Sequence, residues 1–211
     1  MLKNLMLKDF IDELGSSSPV PGGGSTAALG CALSSALTSM VFNLTVGKKS
    51  FNEYDDNTKV KIEEMLKKTS ELKFDFLDDI DKDSDAFSSV MAAYKLPKIT
   101  EEEKKLRKEK IEEGYEIALD VPYKLAQNAF KVYDYIVIAA EFGNKSAVSD
   151  AGTAALMLQS SIESAILNVK INLHGIVDED KKRAIVEKCN RIKDEGLKKR
   201  DNILEIVNSR M

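Results

Sequence analysis

Tryptophan is absent from this 211-residue chain, histidine occurs once, cysteine twice and proline four times. One histidine, His174, and two cysteines, Cys31 and Cys189, far apart and outside any CxxC spacing, supply too few ligands for a structural zinc site. A di-metal carboxylate site in a helix bundle needs Glu-x-x-His pairs, which are also missing, so no metal site is expected. Four prolines and 11 glycines provide too few turns for a many-stranded barrel or sandwich. Positive charge is not in excess: 31 basic residues face 35 acidic ones, a net charge of -4. Without a basic stripe for phosphates, nucleic-acid binding is not expected. The start, Met1 to Lys8, lacks both a continuous apolar core and a small-residue cleavage site. Together with the two lone thiols this points to a reducing, cytoplasmic setting.

Charge is missing altogether from Leu14 to Gly47, long enough to cross a bilayer. That stretch is rich in Ser, Thr and Gly, which makes it a poor lipid-facing segment. Small residues let neighbouring backbones approach closely, so the expectation is a buried core helix and no membrane contact.

Hydrophobic spacing then lays out the rest of the chain as helices. Leu2, Leu5, Met6, Phe10 and Leu14 mark a first helix, stopped by Gly15, and Ser16 to Gly24 is a loop by composition. A small-residue helix follows from Ser25 to about Val46. A third runs from about Tyr54 to Tyr94 and ends ahead of Pro97. Thr100 to Glu103 forms a capping box for a long fourth helix, which Pro122 should kink or break before its end near Phe142 to Asn144. Ser149 and Asp150 cap a second small-residue helix reaching about Leu173, with Gly175 closing it. Asp178 opens a charged last helix with the stripe Ile185, Cys189, Ile192 and Ile203. Long helices joined by short loops imply an all-α fold, a single-domain antiparallel bundle over residues 1–211.

Three groups of residues stand out chemically. Gly22, Gly23, Gly24 and Ser25 precede a helix whose first N–H groups are unpaired, which suits an anionic or carbonyl-bearing ligand. The same run could be a linker or a close-packed helix start. Among the aspartates between Asp75 and Asp85, Asp83 alone completes the stripe Phe76, Ile80, Phe87, Val90 and Tyr94. A carboxylate on an apolar face is costly unless it is used or paired, so Asp83 is either a functional group or half of an internal ion pair. Asn168 and Asn172, four apart on one helix face, offer amides to a polar heterocycle or to a buried network, with Gln159 and Ser161 on the same helix. The loop Gly143 to Asp150 precedes the second small-residue helix as the glycine loop precedes the first. Helices running in suitable directions would bring the two loops together. His174, at a helix end, is given no catalytic role, and Lys48 and Lys49 could meet a polyanionic tail.

Five segments occur in order: Pro19 to Ala28 (PVPGGGSTAA), Asp81 to Phe87 (DKDSDAF), Leu96 to Lys104 (LPKITEEEK), Gly143 to Gly152 (GNKSAVSDAG) and Asn168 to Leu173 (NVKINL). Together they resemble the formiminotransferase-cyclodeaminase C-terminal domain family, which includes stand-alone methenyltetrahydrofolate cyclohydrolases. The resemblance implies an all-helical homodimer of folate one-carbon metabolism. Such an enzyme forms 5,10-methenyltetrahydrofolate from the 5-formimino compound with release of ammonia, or hydrolyses it. It also implies Asp83, the second aspartate of an Asp-x-Asp element, as the catalytic acid/base. It carries folate binding to Gly22, Gly23, Gly24 and Ser25 and to the loop containing Asn144, Ser149 and Asp150. Tetrahydrofolate is then carrier and substrate, no separate cofactor is needed, and a polyglutamate tail would meet Lys48 or Lys49. The competing class is a non-catalytic helical scaffold or folate-binding module.

Overall fold

Several helix starts are specified by side chains that satisfy the otherwise unpaired first-turn amides. Asp55 accepts from Thr58 N at 2.9 Å, Thr100 and Glu103 complete a reciprocal capping box, and Asp178 accepts from Lys181 N at 3.0 Å. In a computed structural model describing residues 1–211, these starts belong to α4 (Asp56–Tyr94), α5 (Glu101–Phe142) and α7 (Glu179–Arg210). The remaining helices are α1 (Leu7–Leu14), α2 (Gly23–Asn43), the single turn α3 (Lys49–Asn52) and α6 (Val148–Asn172). There is no strand.

Four long helices, α2, α4, α5 and α6, run alternately up and down around one core, and α7 packs across α5 and α6. Cross-helix bonds give the register. Ser25 meets Asp83 and Ser39 meets Thr69 between α2 and α4. Tyr133 meets Gln159 between α5 and α6, and Gln159 also donates to Lys193 O in α7. The charge-free α2 is a core helix: 61% of its most apolar window is buried. Its hydroxyls are satisfied internally, Thr38 and Ser39 by carbonyls one turn back and Ser34 by Ala154 O across the helix interface. Ser35 Oγ is the exception, buried without a partner. Gly30 lets α2 and α6 touch, since a Cβ there would overlap Ser161 Oγ.

Four local expectations change. The first helix divides into a 3-10 turn, Leu2–Asn4, and α1. The turn is tied to α4 by Leu2 N donating to Asp81 Oδ1 and by the Lys3–Asp78 ion pair. Gly23 and Gly24 lie inside the first turn of α2 rather than in a loop, with Gly22 at its N-cap. Ser149 and Asp150 likewise sit inside the first turn of α6, whose N-cap is Ala147 and has no side-chain cap. Pro122 does not break α5, which continues through it for 42 residues. A proline deprives the carbonyl four residues earlier of its N–H donor. Here that carbonyl, Ala118 O, accepts instead from Asn172 Nδ2 at 2.6 Å, so the missing intrahelical bond is replaced from α6.

Candidate active site

At one end of the bundle, the C-terminal parts of α4 and α6, the N-terminal part of α5 and the start of α2 enclose a cleft of about 440 Å³. Asp83 stands on its wall. The stripe that carries it is buried lower down, Phe76 and Ile80 each being 1% exposed. Further along, α4 runs past the start of α2 while staying packed on α5, Val90 against Gly114, and Phe87 and Tyr94 line the open cleft instead of the core. That is where the sequence pattern and the structure differ: one apolar stripe serves as core at one end and as cleft wall at the other.

Asp83 Oδ2 accepts from Ser25 Oγ at 2.9 Å, and the Ser25 backbone N–H also points at the carboxylate. No lysine or arginine lies within ion-pair distance of Asp83, so the internal ion pair is excluded. Its pKa is raised by burial, with the two Ser25 bonds pulling the other way. The carboxylate also serves as a cap in trans: α2 has no side-chain cap of its own, and its N-terminal turn faces Asp83. Gly24 makes this approach possible. A Cβ at that position would overlap the carboxylate, lying 2.8 Å from Oδ2.

Across the cleft Asn168 and Asn172 line the wall from α6, and His174 follows in the 3-10 turn Leu173–Gly175. Tyr115 from α5 stands edge-on to Tyr94, ring centroids 6.4 Å apart, with their hydroxyls 3.3 Å apart. Arg107 packs over the Tyr94 ring and donates to Tyr94 O, holding this end of the helical hairpin together. The cleft therefore combines one semi-buried carboxylate, two amides and a wall of Phe87, Val90, Met91 and Ile171, which suits a flat, partly polar ring. No three His, Cys, Asp or Glu side chains converge anywhere in the chain to hold a metal ion.

Of the residues singled out by sequence, Gly22, Gly23, Gly24, Asp83, Asn168 and Asn172 meet in this cleft, with Ser25 directly behind Asp83. Asn144, Ser149, Asp150 and Lys48 do not. α2 and α6 are the first and fourth members of an up-and-down bundle and must run antiparallel, so the loops that precede them lie at opposite ends. Asn144 Nδ2 donates to Leu44 O at the far end of α2, about 30 Å along the helix from Gly23. Within one chain Asn144 is a structural residue, its Oδ1 accepting from Ser146 N and its own N–H bonding Thr45 Oγ1. Gln159 and Ser161 are also structural. Both are buried, with Gln159 Oε1 accepting from Tyr133 at 2.5 Å and Ser161 Oγ donating to Met157 O. Met91 and Tyr115 join the site unannounced by any motif, because helix pairing alone brings them there; Ile171, within the segment Asn168 to Leu173, and His174, given no catalytic role from sequence, line it too.

Comparison with known proteins gives the family of the chain. The chain is 42% identical over 198 residues to a methenyltetrahydrofolate cyclohydrolase from Methylorubrum extorquens, covering 93% of this chain and 90% of that protein. It is 35% identical over 178 residues to the formimidoyltransferase-cyclodeaminase of Rattus norvegicus, of which it spans only 32%. The crystal structure of formiminotetrahydrofolate cyclodeaminase from Thermotoga maritima superposes over 100% of this chain and 97% of that one, with a TM-score of 0.78 and 27% identity. Residues 6–191 match the formiminotransferase-cyclodeaminase family, and the chain belongs to it.

Proposed function

We propose that this protein acts on 5,10-methenyltetrahydrofolate, and that its reaction is hydrolysis to the 10-formyl compound with Asp83 as acid/base. The observation that carries the reading is the placement of Asp83. It is a carboxylate with a raised pKa and no cation of its own, on the wall of a ring-sized cleft. The methenyl bridge is a cationic amidinium carbon, so an unpaired carboxylate supplies both a counter-charge and a base. Asp83 takes a proton from water as its oxygen adds to the bridge carbon. It then returns that proton to N5 as the N5–carbon bond breaks, while the added hydroxyl gives up its own proton to solvent, leaving the formyl group on N10. Burial brings the carboxylate pKa towards the range where both transfers are efficient. The full-length likeness to a named cyclohydrolase supports this direction.

Cyclodeamination is the second reading, favoured by the full-length superposition on a cyclodeaminase. There N10 attacks the formimino carbon and Asp83 protonates the departing nitrogen, which leaves as ammonia. Neither route needs a redox step, and in this reading folate is carrier and substrate without a further cofactor. Loss of methenyltetrahydrofolate absorbance on adding purified protein tests the first reading. Its appearance from 5-formiminotetrahydrofolate tests the second. Protein inert in both assays returns the scaffold reading.

The assembly we propose is a homodimer through the exposed faces of α2 and α6. Leu33, Met40, Leu156 and Leu167 are 45%, 38%, 50% and 66% exposed on a face where a solvated helix would carry charges. A two-fold axis crossing the middle of α2 would set the partner's α2 antiparallel to its own. The partner's Asn144–Asp150 loop and Lys48 would then stand beside the Gly22–Ser25 end of this chain. That arrangement gives Asn144, Ser149, Asp150 and Lys48 the folate-binding role that one chain alone denies them, with Lys48 placed for a polyglutamate tail. Two buried free thiols, Cys31 and Cys189, support a reducing cytoplasmic location, and the single core favours one domain across 1–211.

A further inference from the structure

Pro122 and Asn172 are linked through the carbonyl of Ala118. Because Pro122 has no N–H, Ala118 O is left without its intrahelical donor, and Asn172 Nδ2 fills the place at 2.6 Å. A carbonyl oxygen can only accept, so this bond fixes which way the Asn172 amide faces: nitrogen towards α5, Oδ1 left over. Asn168 is fixed in the same way, its Nδ2 donating to Ser164 O at 2.9 Å. No protein N–H or O–H reaches either Oδ1. Four residues apart on one helix face, the two asparagines are offset by about 6 Å along α6. One wall of the cleft thus carries two fixed, uncharged acceptors, in a cleft that Phe87 and Met91 also line.

Resting on the folate reading above, we propose that Asn168 and Asn172 read the N–H-bearing edge of the reduced pterin ring, and that Pro122 is a positioning residue for Asn172. The pterin presents an exocyclic amino group and ring N–H groups, donors that need acceptors once water is excluded. Neutral amides meet that need without adding charge to the cleft. A second negative charge in the cleft would push the Asp83 pKa higher still and spread the attraction for the cationic bridge away from Asp83.

Titration calorimetry with 5-formyltetrahydrofolate and its 2-desamino-2-methyl analogue tests the proposal. The parent protein should bind the natural pterin about five- to a hundredfold more tightly, the range for leaving one or more buried acceptors unpaired. Asn168→Ala and Asn172→Ala should weaken the natural ligand, leave the analogue nearly unchanged and so shrink the ratio. Pro122→Ala returns an intrahelical donor to Ala118 O and frees the Asn172 amide. It should lower the ratio with an unchanged or higher melting temperature, a combination that a purely structural proline would not give. Equal affinity of the parent for both ligands overturns the proposal without reference to any variant. So does a ratio that survives in both asparagine variants. If neither ligand binds the parent, the folate reading itself fails.

Discussion

Gly24 and Asp83 are in direct contact, α-carbon against carboxylate, so that the residue at 24 decides where the carboxylate at 83 can sit. Gly23, one position earlier, is less constrained. A Cβ there would lie 3.3 Å from Asn168 Nδ2, an atom that can give by a few tenths of an ångström. Gly24→Ala is therefore expected to displace Asp83 and lower turnover by about a hundredfold, the scale of losing a positioned acid/base group. Gly23→Ala should cost less than tenfold, the smaller effect following from its milder contact. Steady-state kinetics on the pair, beside their melting curves, checks the order. Equal losses would mean that the glycines matter only as a flexible start to α2.

Asp83→Asn keeps the shape and the Ser25 contact while removing charge and proton exchange. Turnover should fall by about a hundredfold to ten-thousandfold. Stability should not fall with it, because no cation is left stranded. The folded-state pKa of Asp83 is raised, so folding disfavours its ionised form. The resulting penalty is present above the folded-state pKa and disappears as pH drops through it towards the unfolded value. At neutral pH the variant should therefore melt at the same temperature as the parent or higher, and the gap should close on acidification. A melting temperature that drops at neutral pH would contradict this electrostatic picture of the site.

Much of this was legible in the sequence because capping and periodicity are local. Thr100 with Glu103, and Asp178, announce their helices within one turn, and Asp83 stands out because a carboxylate interrupts an apolar stripe. What could not be read depends on partners distant in sequence. Pro122 looks like a helix breaker until Asn172, fifty residues on, supplies the missing donor. Phe87 and Tyr94 look like core until α4 runs past the start of α2 and leaves them as cleft wall. The two glycine-containing loops look alike, and only the parity of an up-and-down bundle separates them by the length of α2.

Tyr133 and Gln159 offer a control far from the chemistry. The Tyr133 hydroxyl donates to Gln159 Oε1 within the core, and Gln159 Nε2 in turn reaches Glu163 and Lys193 O, linking α5, α6 and α7. Tyr133→Phe leaves a buried acceptor unpaired and should cost about 1–3 kcal/mol of stability. Turnover below the melting transition should be unchanged, since none of these residues lines the cleft. Denaturant melts read the first effect and initial rates the second. A large rate effect at constant stability would show coupling between this network and the site.

The dimer proposal gives the strongest test of where the folate site ends. Leu33 lies near the midpoint of α2, where the proposed two-fold axis passes, and is 45% exposed in the single chain. Leu33→Glu places two like charges almost against each other across that axis, so sedimentation should show monomers. The fold should survive, because the side chain is already half in solvent. If the partner's loop and Lys48 complete the site, activity must fall together with the dimer, and KM should rise more than kcat falls. Lys48→Ala separates the two contributions. In an intact dimer it should raise KM for a pentaglutamylated folate by about threefold to tenfold and leave the monoglutamate nearly unaffected, as expected for a solvent-screened charge contact. Raising ionic strength should erase that difference. A monomeric Leu33→Glu variant with full activity would confine the site to the Asp83 cleft of one chain, and Lys48 would then have no part in it.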